Sequence, residues 1–445
     1  MPLPLLLVLP LLLLLLVAHL ALAAHAPAYA QPADAGASPS SASGAGPVID
    51  ERVRPSTSAG WVQACSQRHP VCVEAAPGTG AGATLATLDA ADRAWETMTG
   101  ALAAPAPDPS LDGVWHVYLV GAPDLAGGVE GTATALLEAR DPVARLDRGS
   151  SFALVDRTTP AGCPLDLALA RAVARGSSWR AVPGADRGSA QAQAETLALL
   201  ATPCASREED AGEFQAHPER TLVAPGRPAL ERGAALFYDW LDARFETEPG
   251  RLVTGVWALS PTRATEPWRW PRRPTGFDVL RVSLRDVLFP GSTLDDAIVR
   301  FAVDRASMFP PARVGWHVSW PAQPRRLLAP SPVGPLGAAY VLVDAPPAGA
   351  PAPAASLLLE ADWEDFERMR WVVVKLDAGG RPLGELPMGS LARGTHATLT
   401  VERLEAKVAR LLVVGVNVGD TEGPFDPTAG EWEAHGWTLT LGAHP

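Results

Sequence analysis

Residues 370–377, RWVVVKLD, lead into the turn sequence Asp377-Ala378-Gly379-Gly380, and this pattern decides the class of the C-terminal part of the chain. A short apolar run that ends at a Gly-rich turn is typical of a strand entering a hairpin. Six further segments have the same character: residues 314–320, 338–343, 355–361, 396–402, 409–418 and 436–441. Seven short strands at this spacing predict an antiparallel β-sandwich over residues 313–445.

Upstream of Pro310 and Pro311 the pattern mixes helices with strands. Residues 115–120 and 151–155 are continuously apolar or nearly so, which predicts two strands of a buried sheet. PLDLALARAVARG, residues 164–176, places its leucines and valine on one helical face. Further helical patterns cover residues 84–98, 186–204, 229–245, 252–259, 279–284 and 294–302. The predicted fold class is α+β, with an α/β and helical domain over residues 61–312 before the sandwich.

The first sixty residues have two parts. Residues 3–22 are almost uninterrupted apolar chain, followed by the small-residue patterns Ala24-His25-Ala26 and Ala28-Tyr29-Ala30. This predicts a signal peptide over residues 1–30, a secreted or periplasmic protein, and no membrane association after cleavage. Because no Lys or Arg precedes the apolar run, a retained anchor is the alternative. Residues 31–60 are rich in Ser, Ala, Gly and Pro, which predicts a disordered linker.

Composition narrows the classes of partner. The chain has 445 residues, 47% of them hydrophobic and 19% charged, as expected for a folded globular protein. Its formal net charge of -12 would repel a phosphate backbone, and no cluster of Arg and Lys offsets that charge. The sequence therefore excludes nucleic acid and leaves a protein, a peptide or a glycan as the partner.

Four cysteines, Cys65, Cys72, Cys163 and Cys204, predict two disulfides in an oxidising compartment. Of the three ways to pair them, the two local pairings are favoured. Cys65 and Cys72 are close in sequence, and Cys163 and Cys204 stand at the outer ends of two helical patterns, where a bond would join a helical hairpin. The alternative for the first pair is a metal site that includes His69, between the two cysteines.

The order of elements carries a resemblance. A helix ending near Trp95, the strand at residues 115–120, two helices within residues 164–204 and the segment GAALFYDWLDARF, residues 233–245, precede the sandwich. This order resembles the secreted bacterial gluzincin-type, thermolysin-like zinc metallopeptidases. The resemblance implies a metallopeptidase-like scaffold. In that family the first paired helix carries His-Glu-x-x-His and the second supplies a Glu as third zinc ligand.

The chain departs from the family at the metal-binding motif. The alignment sets arginine, Arg171 and Arg175, at both imidazole positions and Ala172 at the general base. Arginine is a cation with no lone pair to offer Zn²⁺. Glu195 is the one carboxylate on the second predicted helix, and His-Glu-x-x-His occurs nowhere in the chain. The resemblance therefore implies a degenerate, non-catalytic member without zinc or another cofactor, with a binding or structural role outside the cell.

Two other functions remain as alternatives. The first is a secreted hydrolase whose site the sequence pattern does not reveal. The second is a carbohydrate-binding module, in which Trp268 and Trp270 would stack on a sugar. Trp316 and Trp320 are expected in the sandwich core because they fall on one face of a strand.

Other polar features are interpreted as structural. Asp420, Glu422 and Asp426 suit a Ca²⁺ loop, but turn chemistry is the favoured interpretation. No role is assigned to four scattered histidines, which are His116, His317, His396 and His435. The Gly-rich residues 78–83 are expected to form a plain loop.

Overall fold

A computed structural model describes most of the chain after residue 50. The described residues are 51–52, 54–109, 112–121, 133–138, 150–182, 187–206, 208–220, 222, 228–245, 247–260, 276–284, 293–321, 323–346, 356–364, 368–390, 394–402, 404–419 and 436–443. The predicted signal peptide and residues 31–50 of the predicted linker lie outside them.

A six-stranded mixed sheet forms the first layer, in the order β1-β5-β6-β4-β3-β2. Its strands are β1 Glu51–Arg52, β2 Val62–Cys65, β3 Val71–Ala75, β4 Trp115–Val120, β5 Ala133–Glu138 and β6 Ser151–Asp156. The two strands expected from sequence are β4 and β6, which pair in parallel. Strand β5 lies antiparallel to β6, and β1, inside the predicted linker, pairs with β5 in parallel.

Nine α-helices are found within the described ranges. They are α1 Ala81–Glu96, α2 Cys163–Ala181, α3 Arg187–Ala201, α4 Glu208–Ala216, α5 Pro228–Gly233, α6 Ala235–Arg244, α7 Arg251–Leu259, α8 Gly276–Ser283 and α9 Leu294–Arg305. Helix α4 was not expected from sequence. The pattern expected as one helix over residues 229–245 is divided into α5 and α6. At the end of α5, a Cβ on Gly233 would lie 2.3 Å from the Asp210 carbonyl oxygen, so this close approach of α5 to α4 requires glycine.

The C-terminal part contains two five-stranded sheets. Its strands are β7 Trp316–Val318, β8 Arg325–Leu328, β9 Ala338–Asp344, β10 Leu357–Trp363, β11 Met369–Leu376, β12 Pro382–Pro387, β13 Gly389–Ser390, β14 His396–Val401, β15 Arg410–Asn417 and β16 Trp437–Ala443. The sheet orders are β13-β14-β10-β16-β8 and β12-β11-β15-β9-β7. We call them the outer sheet and the docked sheet. All seven strands expected from sequence are present, and β8, β12 and β13 are additional.

One strand pair corrects the expectation of a purely antiparallel sandwich. Strand β7 pairs in parallel with β9, with Trp316 opposite Val341. After β7 the chain crosses to β8 in the outer sheet and then returns to β9 in the docked sheet. A strand reached through such a crossing can run in the same direction as the first, whereas a two-residue hairpin would force the antiparallel direction.

Two hydrophobic cores account for most of the buried apolar side chains. The sandwich core lies between its two sheets and includes Val341, Leu359, Val413 and Leu439. The larger core lies among the helices and the mixed sheet and also takes in residues of the docked sheet, such as Val414. The fold class is α+β. Among the described residues, no helix combines the length and the apolar character that crossing a bilayer requires.

Candidate functional site

The paired helices α2 and α3 frame the candidate site. A disulfide joins Cys163, the first residue of α2, to Cys204, which follows α3. On the other side, α2 packs against the mixed sheet, because a Cβ on Gly176 would lie only 3.0 Å from the Ser151 hydroxyl oxygen. The disulfide and this packing against the sheet hold the facing side chains of α2 and α3 in a fixed relation.

A bidentate ion pair connects the two helices. Arg171 donates from Nε to Glu195 Oε2 at 2.7 Å and from Nη2 to Glu195 Oε1 at 2.6 Å. The Glu195 side chain is 1% exposed, whereas that of Arg171 is 27% exposed. Both carboxylate oxygens therefore accept hydrogen bonds from one planar guanidinium, which is the strongest geometry for such a pair.

Two further side chains extend this pair into a network. Arg171 Nη2 lies 3.2 Å from Asp210 Oδ2, and Asp210 also accepts two hydrogen bonds from Arg232, at 2.8 and 2.9 Å. Asp210 is on α4 and Arg232 is on α5. The network thus joins four helices with two cations and two anions, whose charges balance. We call these four residues, Arg171, Glu195, Asp210 and Arg232, the ion-pair network.

A small cleft opens beside the ion-pair network. Its volume is about 250 Å³, including the open mouth. Three carboxylates, Glu195, Asp210 and Asp239, line it together with Arg232, and Leu199 and other apolar residues complete the wall. Because the carboxylates of Glu195 and Asp210 are already engaged by guanidinium groups, the surface that the cleft exposes is mainly apolar.

The other two aligned positions are both buried. Ala172 is 0% exposed and belongs to the larger core, so a side chain at this position has no access to water. Arg175 is 8% exposed, and its guanidinium carbon lies 4.3 Å from the centre of the Trp179 ring. Sequence reasoning singled out Arg171 and Glu195, which meet. It missed Asp210 and Arg232, because α4 carries no strong apolar period.

Within the described ranges, no three or more His, Cys, Asp or Glu side chains converge in a way that could hold a metal ion. Cys65 and Cys72 are bonded to each other, so the alternative in which their thiolates and His69 bind a metal is wrong for this state of the protein.

The remaining residues of interest are dispersed. His317 lies 3.0 Å from Asp344, and His396 lies 2.7 Å from Asp362, both at exposed sites of the sandwich. Trp316 and Trp320 are partly buried against the sandwich core. Six residues considered above lie outside the described residues: Trp268, Trp270, Asp420, Glu422, Asp426 and His435.

Comparison with known proteins gives no family for this chain. No family model matches the sequence, and no curated protein matches it. Among solved structures, the pre-peptidase C-terminal domain of a collagenase from Bacillus anthracis is 9% identical, with a TM-score of 0.19, over 29% of this chain and 96% of that one. A GH115 4-O-methyl-alpha-glucuronidase, BtGH115A, is 9% identical, with a TM-score of 0.16, over 63% of this chain and 30% of that one. At these TM-scores neither similarity supports an argument. Fold and site together define an α+β protein whose paired helices are joined by a disulfide and an ion-pair network.

Proposed function

We propose that this protein is an exported, non-catalytic relative of the gluzincin-type metallopeptidases, with a binding or structural role at the cell exterior. The observation that carries the proposal is the bidentate pair of Arg171 and Glu195. In the aligned family, these positions hold an imidazole and a carboxylate that share one zinc ion. Here a guanidinium stands at the imidazole position and bonds directly to the carboxylate.

The electrostatics of the pair support a non-catalytic role. A metal cation would have to displace the Arg171 guanidinium from a carboxylate that is 1% exposed, and the displaced cation would lie beside the metal. The positive charges of the metal and of the neighbouring guanidinium would repel each other strongly, because water is largely excluded there. On the proposed alignment, the ion-pair network takes the place of the family's metal site.

Export is supported by the two disulfides. Cys65 is bonded to Cys72 and Cys163 to Cys204, and no free cysteine remains in the chain. Disulfides form and persist in oxidising compartments such as the periplasm and the cell exterior. The partner that we propose there is a protein, a peptide or a glycan.

The first test measures metal and activity on purified wild-type protein. We expect less than one-tenth equivalent of zinc after dialysis against micromolar zinc, and no cleavage of casein. Stoichiometric zinc together with chelator-sensitive cleavage of casein would overturn the proposal.

A second test examines the alignment through a gain of metal binding. In Arg171→His/Arg175→His the two imidazoles stand one helical turn apart and Glu195 loses its guanidinium partner, so we expect zinc affinity to rise at least tenfold. Adding Glu195→Gln to this variant is the matched control, because it removes the proposed third ligand and should abolish the gain. A gain that survives Glu195→Gln, or no gain in a folded double variant, would show that the alignment is wrong.

A further inference from the structure

The two disulfides occupy different structural settings. Cys65 and Cys72 are directly opposite each other in the antiparallel pair β2–β3, with their Cα atoms 4.0 Å apart and a sequence separation of seven. Cys163 and Cys204 have a Cα separation of 6.0 Å and a sequence separation of 41. Most disulfides span Cα distances of about 4.4–6.8 Å, so the second pair has ordinary spacing and the first does not.

The two cysteines of the β2–β3 pair differ in exposure. Strand β2 is at the edge of the mixed sheet, where Cys65 is exposed, whereas Cys72 on the neighbouring β3 is 4% exposed. Disulfides are cleaved when a thiolate approaches one sulfur in line with the bond, and the other sulfur leaves. Access therefore directs an external thiolate to Cys65 and makes Cys72 the leaving group. Cys204 is also exposed and Cys163 is half-buried, so access alone does not distinguish the two disulfides, and the distinction comes from the residue opposite Cys72.

A histidine lies directly opposite the leaving cysteine in the sheet. In the parallel pair β3–β4, Cys72 is opposite His116, so both side chains project from the same face of the sheet. His116 is 7% exposed, and its Nε2 lies 2.8 Å from Asp112 Oδ2. An imidazolium beside a cysteine stabilises its thiolate and so makes it a better leaving group.

Two carboxylates, Asp112 and Glu74, lie next to the two ring nitrogens of His116. Burial would raise the pKa of Asp112, but hydrogen bonds from the Val114 amide and from His116 outweigh this effect and lower it. Because an ionised carboxylate only accepts, Nε2 carries a hydrogen towards Asp112. Nδ1 lies 3.4 Å from Glu74 Oε1 and has no hydrogen-bond partner among the described residues.

We propose that the Cys65–Cys72 disulfide is a thiol-exchange site for an external dithiol, with His116 stabilising the Cys72 thiolate, and that Cys163–Cys204 is the structural disulfide. In the first step a dithiol thiolate bonds to Cys65 Sγ, the Cys65–Cys72 bond breaks, and Cys72 leaves as a thiolate. In the second step the reductant's other thiol, as a thiolate, attacks the reductant sulfur that is bonded to Cys65 in the mixed disulfide. Cys65 leaves as a thiolate, and the reductant becomes a disulfide after transferring two electrons.

The fold remains connected when this bond opens. Strand β2 stays paired with β3 through main-chain hydrogen bonds, and Ser66 Oγ, just after β2, donates to Asp92 Oδ2 on α1 at 2.9 Å. Gln63 also donates to Glu74 at 2.6 Å. Exchange would therefore change the redox state of this sheet edge without unfolding the domain.

The test follows both disulfides in the folded wild-type protein by timed alkylation and peptide mass spectrometry. One arm uses dithiothreitol as the dithiol, and the other uses a reduced Cys-x-x-Cys oxidoreductase domain of the thioredoxin class. We expect Cys65–Cys72 to be reduced at least tenfold faster than Cys163–Cys204 in at least one arm. The arm with the larger second-order rate constant identifies the source of the dithiol. Equal rates, or faster reduction of Cys163–Cys204, in both arms would overturn the proposal.

A pair of variants tests the part played by His116. His116→Gln keeps a hydrogen-bond donor for Asp112 but removes the imidazole, and we expect it to slow reduction of Cys65–Cys72 at least fivefold. His317→Gln is the matched control, since His317 is an exposed histidine paired with an aspartate on the sandwich, and its rate should equal that of wild type. An unchanged rate in folded His116→Gln would remove histidine from the mechanism. If His116→Gln does not fold, the wild-type rate ratio alone decides the proposal.

Discussion

The two sheets of the sandwich are built from similar strands but differ in how many faces they bury. In β15 of the docked sheet, every residue after Arg410 is buried. In β10 of the outer sheet, buried residues alternate with half-buried ones. Leu412 and Val414 of β15 belong to the larger core with the helices, while Leu411 and Val413 belong to the sandwich core. The docked sheet thus contributes to two cores, whereas the outer sheet buries one face in the sandwich core and turns its other face towards water.

The buried second face of the docked sheet is where the sandwich is attached to the helical part. A sheet with both faces covered has apolar residues at every position, whereas a sheet with one face in water has them at every second position. The contact is also polar at defined points. Tyr340 on β9 donates its hydroxyl to the carbonyl oxygen of Ala302 on α9 at 2.7 Å. The docked sheet therefore combines an apolar contact with hydrogen bonds that fix its position.

The largest effect is expected at Arg305, near the docked sheet at the end of α9. Its side chain is 1% exposed, donates from Nε to Gln215 at 2.7 Å and from Nη2 to the Phe214 carbonyl, and lies over the Phe214 ring. Arg305→Ala would remove a donor from Gln215 Oε1 and open a cavity, although the Phe214 carbonyl keeps the His217 amide as a donor at 3.2 Å. We expect the free energy of unfolding to fall by about 4 kcal/mol in urea denaturation. Arg326→Ala, at an exposed arginine of the outer sheet, is the control and should cost less than about 0.5 kcal/mol.

A matched pair of leucines tests the comparison directly. Leu412 faces the helices from the docked sheet at 5% exposure, and Leu358 lies on the half-buried face of the outer sheet. We expect Leu412→Ala to cost about 3 kcal/mol and Leu358→Ala to cost about 1 kcal/mol or less, by urea denaturation. Equal costs would mean that the docked sheet does not bury its second face in solution.

Tyr340 gives a test that depends on pH. Burial raises the pKa of Tyr340 to about 12, although nearby Arg305 opposes the shift. The ordinary pKa of a tyrosine is about 10, so between pH of about 10 and about 12 the folded state keeps the phenol proton that the unfolded state loses. The stability that this group contributes is therefore fully present below pH of about 10 and is lost as the pH rises towards about 12. At pH 8, Tyr340→Phe should lose about 1 kcal/mol with its hydrogen bond. By pH 11 the gap between wild type and variant should shrink by about 1 kcal/mol.

Denaturation of both proteins at pH 8 and pH 11 measures this change. A gap that stays constant or widens at pH 11 would contradict the assignment of a buried phenol at the docked sheet.

The smallest effect is expected at the rim of the contact. Arg300 on α9 forms an ion pair with Glu385 on β12, and both side chains are about one-third exposed. Such pairs contribute little, so Arg300→Ala should lower the free energy of unfolding by about 0.5 kcal/mol, and less at high salt. A double-mutant cycle with Glu385→Ala measures the coupling. A coupling above about 2 kcal/mol would mean that the rim, rather than the apolar face, holds the two parts together.

Local patterns predicted much of the fold. The seven expected strands and the helices around residues 164–204 are present, since apolar period and turn residues act over a few positions of the chain. The short strands β8, β12 and β13 were missed. Strand β12 begins and ends with proline and β13 has two residues, so neither carries a period that sequence reasoning could detect.

The candidate site divides in the same way. The sequence pointed to Arg171, whose alignment with an imidazole position stays a prediction, and to Glu195 as the carboxylate of the next helix. It gave no sign of Asp210 or Arg232, which come from α4 and α5 and complete the ion-pair network. Those residues are brought to Arg171 by helix packing, which depends on side chains far apart in the chain.

By itself, the sequence determined the α+β class, the positions of most elements and the absence of a His-Glu-x-x-His motif. The tertiary structure alone decided that Arg171 and Glu195 meet, that β7 runs parallel to β9, and that one sheet of the sandwich is buried on both faces. The two kinds of structure depend on interactions that act over different distances along the chain. Secondary structure follows from neighbours within a few residues, whereas ion pairs, sheet order and docking depend on contacts between segments that only the folded chain brings together.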